Sequence, residues 1–200
     1  MYVNLADADG STSYTGDGTS GLYLAYAQFE ESDYASSLML PTTEGSTTSR
    51  VADACTGSGT AQDFKDYNAS GVLYAEIAAH SDDLTDRYIS ISDATTDNYV
   101  DMYYSSASNR VSIRLYNEGV IQFIASTSFS DIHDFHKVAV RWAQDDFSFW
   151  ADGTERAADT SGITPVGLST LKLSFPAGSS SAFYGKTRAV EVLPYMSDTE

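Results

Sequence analysis

Short apolar runs that alternate with polar residues, each closed by a turn signal, constrain this chain more than any other feature. Side chains of an extended strand point to opposite faces in turn, so a period of two marks a strand with one dry face. The runs are Val72–Ala79, Arg87–Ser92, Tyr99–Tyr104, Arg110–Tyr116, Val120–Ala125, Lys137–Ala143, Phe147–Asp152, Leu171–Phe175 and Phe183–Leu193. Between them lie Ser81-Asp82-Asp83, Asp93–Asn98, Ser105–Asn109, Asn117-Glu118-Gly119, Gln144-Asp145-Asp146, Asp152-Gly153 and Pro176–Ser181. Asn-Glu-Gly and Asp-Gly after apolar runs are hairpin turn chemistry. No segment holds a helical apolar period for three turns. The pattern predicts an all-β chain, a two-sheet antiparallel β-sandwich built from meanders.

Alternation also assigns faces. Leu73, Ala75, Ile77 and Ala79 share one side of their run, as do Val111, Ile113 and Leu115, and again Val138, Val140 and Trp142. These form the expected core. Tyr74, Glu76, Tyr99, Asp101, Tyr103, Arg114, Tyr116, Arg141 and Trp150 project the other way, onto a wetter face. Sugars bind where aromatic rings cover apolar C–H patches and planar polar groups bond hydroxyls. With 14 Tyr and 2 Trp in the chain, these side chains, Asp101 apart, are the candidate glycan-binding residues.

Charge removes other partners. Eleven basic against 28 acidic residues give a net charge of −17. Nucleic acid and anionic membrane surfaces both require basic patches, so neither is expected. The acid is 20 Asp and 8 Glu, and Asp favours turns where Glu favours helix, again pointing to all-β. The start, Met1-Tyr2-Val3-Asn4, has neither the basic region nor the apolar stretch of a signal peptide, and no apolar run is long enough to span a bilayer. Cys55 is the only cysteine, which excludes an internal disulfide and a cysteine-based zinc site.

Two acidic loops could hold a hard cation. Asp82, Asp83 and Asp86 fall in one, and Asp93 and Asp97 in the next. Calcium takes several carboxylate and carbonyl oxygens, which short Asp-rich loops can supply, so one Ca2+ is the cofactor to test. His133 and His136 beside Asp131 and Asp134 read as a loop leading into a strand rather than as a transition-metal site. Asn68-Ala69-Ser70 fits a glycosylation sequon, relevant only in a eukaryotic secretory pathway.

Several segments together resemble a known superfamily. They are Arg50–Cys55, Gly71–Glu76, Asn109–Ile113, Asp134–Val140 with Asp152-Gly153, and Phe183–Lys186. Residues 50–200 resemble the concanavalin-A-like lectin/glucanase superfamily in its laminin-G-like form, common in phage tail and fibre proteins. The resemblance implies a jelly roll. Residues 1–49, through Leu5-Ala6-Asp7, Ser13–Gly21, Ala27–Glu31 and Pro41-Thr42, resemble the end of a module that often precedes it, plus a linker. A docked strand is expected there over 22–29.

What the resemblance implies for function is adhesion: a non-catalytic module binding a surface polysaccharide or host glycan. Its other partners would be neighbouring virion domains, its place the virion or the extracellular space, and a homo-oligomeric parent is compatible with it. A spacer module of the virion, or an accessory module of a secreted polysaccharide-degrading enzyme, are the alternatives. Glucanases of this superfamily carry Glu-x-Asp-x-Glu on one strand, whereas Glu76-Ile77-Ala78 has Ala in place of Asp. Related jelly-roll lyases carry Arg-x-Glu-x-Arg and Gln-x-His. Arg110–Arg114 lacks the Glu, and Gln122-Phe123-Ile124 lacks the His. No catalysis is therefore expected.

Overall fold

The computed structural model describes residues 56–177 and 181–197, with scattered positions before residue 50. Its contacts divide the chain into two units, Met1–Arg50 and Val51–Glu200. Apart from Gln28, the strand expected over 22–29 lies outside the described residues.

Among the described residues the second unit has eleven strands: β1 (Thr56–Ser58), β2 (Ser70–Ala79), β3 (Arg87–Ser92), β4 (Tyr99–Tyr104), β5 (Arg110–Asn117), β6 (Val120–Ser128), β7 (His136–Ala143), β8 (Asp146–Ala151), β9 (Thr154–Asp159), β10 (Thr170–Lys172) and β11 (Gly185–Leu193). A helical turn, α1 (Ala61–Phe64), continued by a 3-10 turn over Lys65–Tyr67, separates β1 from β2. The strands make two antiparallel sheets, a six-stranded one ordered β1-β10-β3-β4-β5-β6 and a five-stranded one ordered β11-β2-β7-β8-β9. This is a β-sandwich.

Tight turns set the meander registers. Glu118 and Gly119, at φ 48° and 76°, join β5 to β6, and Asp152 and Gly153, at 49° and 74°, join β8 to β9. Both pairs have the two left-handed residues of the turn whose twist matches antiparallel strands.

The interior is the one alternation assigns. Leu73, Ala75 and Ile77 of β2 meet Val138, Val140 and Trp142 of β7 and Phe147 and Phe149 of β8 on one side. Ile89, Ile91, Val100, Met102, Val111, Ile113 and Leu115 face them from the six-stranded sheet. Burying each large apolar side chain contributes about 1.5–3 kcal/mol.

Trp142 also fixes its neighbour. It is fully buried, its indole N–H donates to the Tyr67 carbonyl at 2.8 Å, and its ring lies under Gly71, its partner across the β2–β7 ladder. A Cβ on Gly71 would stand 2.8 Å from Trp142 Cζ2. Gly71→Ala should therefore cost about 1–3 kcal/mol as the indole is pushed aside. Urea denaturation would show it as a lower midpoint with an unchanged slope.

β1 falls outside the expected runs and β11 begins two residues late, and three further differences have a local cause. β9 was not anticipated, because Thr154–Asp159 is an edge strand that turns mainly Ala157 toward the core and has almost no apolar alternation. β6 runs on through Ser126-Thr127-Ser128, whose hydroxyl side chains hide a register that continues opposite Arg110–Ser112. β10 stops at Lys172, so Phe175 leaves the sheet.

Candidate functional site

The structure does not gather the candidate glycan-binding residues on one surface. Tyr99, Tyr103, Arg114 and Tyr116 lie on the outer face of the six-stranded sheet, whereas Tyr74, Glu76, Arg141 and Trp150 lie on the outer face of the five-stranded one. Alternation tells inside from outside but not which sheet a strand joins. The single wet face is thereby corrected to two faces, pointing opposite ways.

On the five-stranded face the chain itself covers Arg141. Arg141 pairs with Asp146 at 3.0 Å, donates to the Met196 carbonyl at 3.2 Å and lies over the Tyr195 ring at 5.4 Å. Tyr195 in turn donates to Asp146 at 2.5 Å. The Trp150 indole N–H is satisfied by Ser148 at 2.9 Å, and Glu76 pairs with Arg188 at 2.8 Å. Residues 195 and 196 thus close over the arginine that would have met a ligand.

The six-stranded face carries a second dry layer. Arg114 makes two hydrogen bonds to Asp101, at 2.6 and 3.3 Å. Its guanidinium lies 4.7 Å from the Tyr103 ring centre, 5.1 Å from Tyr88, 5.7 Å from Tyr99 and 5.8 Å from Phe175. Tyr88 stacks on Tyr103 at 4.7 Å, Tyr99 stacks on Tyr116 at 4.6 Å, and the Phe175 edge meets Tyr88 at 5.2 Å. Tyr99, expected to be wet, is 2% exposed, and Asp101 is fully buried. Phe175 is why: it shares the parity of Leu171 and Leu173, but after β10 ends the chain turns its ring onto the outer face.

Burial pushes the Asp101 carboxyl up to about 6, against the pull of Arg114, so the acid is still ionised at neutral pH. Burial works against the charge of Arg114 as well, yet the Asp101 carboxylate holds it above its ordinary value. Burial also raises the Tyr88 and Tyr99 hydroxyls. Taken as a unit, the cluster is a cation with its aromatic box and counter-ion already supplied.

Beside this cluster the same face opens into a depression of about 430 Å³. Tyr103 walls it, and Ser112, Ile124, Ala125 and Ser126 line it from β5 and β6. Ser105, Ser106 and Ala107 form its rim, and Arg110, hydrogen-bonded to the Ser126 hydroxyl, is the one charged side chain among the described residues that line it. Ile124 is 56% exposed. An aromatic wall, an exposed apolar floor, several hydroxyls and one cation suit a polyhydroxylated ring. Among the described residues that line it there is no carboxylate.

Tyr103 was anticipated here. Arg110, Ile124, Ser112 and Ser126 were missed as site residues. One signal was available: Ile124 is an apolar residue on the parity of Gln122, opposite Phe123.

Most of the aspartates expected to bind calcium make contacts within the protein. Asp82 accepts from the Ser108 hydroxyl at 2.5 Å and the Asn109 N–H at 3.0 Å. Asp86 accepts from the Ser106 N–H at 2.8 Å and the Tyr88 hydroxyl at 3.0 Å. These two pin the depression's rim to the β2–β3 loop. Asp83 pairs with Arg87 at 2.6 Å, and Asp93 accepts from Thr95 and Asn98 within its own loop. Asp97, through its carbonyl, accepts from the Gly119 N–H. Among the described residues no three His, Cys, Asp or Glu side chains converge. His136 stacks on Phe129 at 3.9 Å and bonds Asp152 at 2.7 Å, in keeping with a local role. The sequon's Asn68 side chain accepts from the Leu168 N–H at 2.8 Å, a structural use of that amide.

No protein-family model and no curated protein matches the sequence. Solved structures do match the fold. The carbohydrate-binding module CBM40 of the Ruminococcus gnavus intramolecular trans-sialidase, solved bound to α2,3-sialyllactose, superposes with a TM-score of 0.58 at 15% identity, over 74% of this chain and 91% of that one. The fold is the concanavalin-A-like jelly roll. The leech intramolecular trans-sialidase contains a similar sandwich, at TM-score 0.53 and 17% identity over 74% of this chain and 25% of that one. Domains LG4-5 of the mouse laminin α1 chain match at 0.51 and 9%, over 78% and 47%. At such identities the likeness is one of architecture, as the sequence resemblance implied.

Proposed function

We propose that this chain is a non-catalytic carbohydrate-binding module that seats an acidic saccharide in the depression between Tyr103 and Arg110. The observation that carries this reading is the lining itself: in a chain of net charge −17, the one charged side chain among the described residues lining the depression is a cation. Tyr103 and Ile124 cover the apolar side of a sugar ring, the serines bond its hydroxyls, and Arg110 meets its carboxylate. A module of the same fold that holds sialyllactose makes that trisaccharide the natural first probe. The mechanism is equilibrium binding, with weak single sites strengthened by display in several copies.

On the resemblance of its sequence we assign the module to a phage tail or fibre protein, where it would engage host-surface polysaccharide. An accessory module of a secreted polysaccharide-degrading enzyme would use the same groove, and the two sialidase-borne sandwiches favour that setting.

Titration calorimetry with 3′-sialyllactose, a uronic-acid oligosaccharide and neutral lactose tests the reading. Binding of an acidic sugar should weaken at least tenfold, about 1.4 kcal/mol, in Tyr103→Ala. In Arg110→Ala, whose side chain is exposed, it should fall toward the affinity for lactose with the fold intact. Binding unchanged by both substitutions, or lost only on Arg141→Ala, would overturn it. So would the absence of binding to all three sugars.

A further inference from the structure

Four strands close the edges of the two sheets: β1 and β6 on one, β9 and β11 on the other. Open edges present unpaired N–H and C=O groups, and soluble proteins blunt them with charge, brevity or irregularity. Three of these edges are blunted. β1 has three residues, β9 carries Glu155, Arg156 and Asp159, and β11 carries Lys186, Arg188 and Glu191.

β6 is different. It runs nine residues, Val-Ile-Gln-Phe-Ile-Ala-Ser-Thr-Ser, without a charge, a proline or a glycine. A bulge falls between Leu115 and Tyr116 at its beginning, after which Phe123–Ser128 keeps one regular register against β5. Val120, Ile121 and Ile124 are exposed on it.

The free side of β6 can be read from one bond. Phe129, just past the strand, donates its N–H inward to the Asn109 carbonyl at 2.8 Å. Alternation then turns the backbone groups of Ile124, Ser126 and Ser128 outward, away from β5. Among the described residues no backbone group of another segment bonds to them.

We propose that β6 pairs antiparallel with β6 of a second copy of this chain, joining the two six-stranded sheets into one twelve-stranded sheet. An uncharged, self-complementary register is the reason for choosing a second copy. Two molecules of net charge −17 repel wherever charged surfaces meet, and β6 is the one long strand that brings no charge to the contact. Self-pairing about a two-fold axis centred on Ile124 sets isoleucine against isoleucine and Gln122 against Ser126, with no like-charge pair in the register. Continuity adds a second reason. Ile124 and Ser126 line the depression and also bound the free edge, so pairing brings two depressions to one side of the joined sheet, flanking the seam. The inference does not depend on saccharide binding.

Sedimentation equilibrium of the full chain at tens of micromolar tests it without any sugar. The wild type should have twice the 21.6 kDa chain mass. Ile124→Lys places a charge on the seam, and Ser126→Pro removes an outward N–H while leaving the ladder to β5 intact. Both variants should sediment at the single-chain mass, with strand circular dichroism and thermal midpoints near those of a monomer. A wild type that is monomeric throughout this range, or a dimer that survives both substitutions, would overturn the proposal.

Discussion

Arg114→Met is expected to lower stability by about 3–5 kcal/mol near neutral pH, because it leaves an ionised carboxylate buried without its cation. Asp101 is fully buried, and its two bonds to Arg114 are the charge-assisted contacts that keep it ionised there. Methionine fills much of the same space among Tyr88, Tyr99, Tyr103 and Phe175, so the loss is electrostatic rather than a cavity effect. In a domain of this size it should appear as a fall of about 10 °C in thermal midpoint. Two controls separate this from general disruption. Acidification to about pH 4 should recover most of the loss, since the unpaired carboxyl then becomes neutral. The pair Arg114→Met with Asp101→Asn should recover it at neutral pH. A variant equally destabilised at every pH would show that the cation is not what stabilises this layer.

Asp101 should also dominate the pH dependence of stability in mild acid. Burial raises its carboxyl from 3.8 to about 6, so between those values the folded chain holds a proton that the unfolded chain has released. Stability from this group is full below pH 4 and is lost as pH rises through 6, a change of about 3 kcal/mol for a shift of about two units. Asp83 and Asp152 work in the opposite sense. Partial burial opposes their charge, but Asp83 is lowered by Arg87 and Thr85, and Asp152 by the Lys137 N–H and His136, so their contributions disappear only as pH falls below the usual carboxylate range. Asp101→Asn cannot titrate. Denaturant melts from pH 4 to 7 should show a declining stability in the wild type and no decline in the variant, where the His80 imidazole, lowered by burial and Lys186, leaves only a rise with pH. Parallel profiles would place the titration elsewhere.

Alternation made the interior legible and left the exterior ambiguous, and particular residues show why. Leu73, Ile113 and Trp142 lie where period-two patterning puts them, because one register suffices to choose between two faces. Arg114 and Arg141 are identical in that pattern, yet one joins an aromatic box and the other is covered by Tyr195 and Met196. Sheet membership depends on crossovers, which local sequence does not encode. Phe175 reaches its place through a chain direction set after β10 ends. For the aspartates of the β2–β3 loop the sequence shows the carboxylate spacing but not the partners. Ser106, Ser108 and Asn109, a hairpin away in sequence, claim Asp82 and Asp86. Arg110 lay in plain view on a predicted strand, but only the rim beside it makes it a site residue.

Chemical-shift mapping with 3′-sialyllactose on the isotopically labelled chain tests most directly where this module meets its ligand. Amide and side-chain resonances of Tyr103, Ser106, Arg110, Ser112 and Ile124 should move together, in saturable fashion, while those of Tyr74 and Trp150 stay still. Shifts confined to the five-stranded face, or a spectrum that no acidic saccharide perturbs, would contradict it.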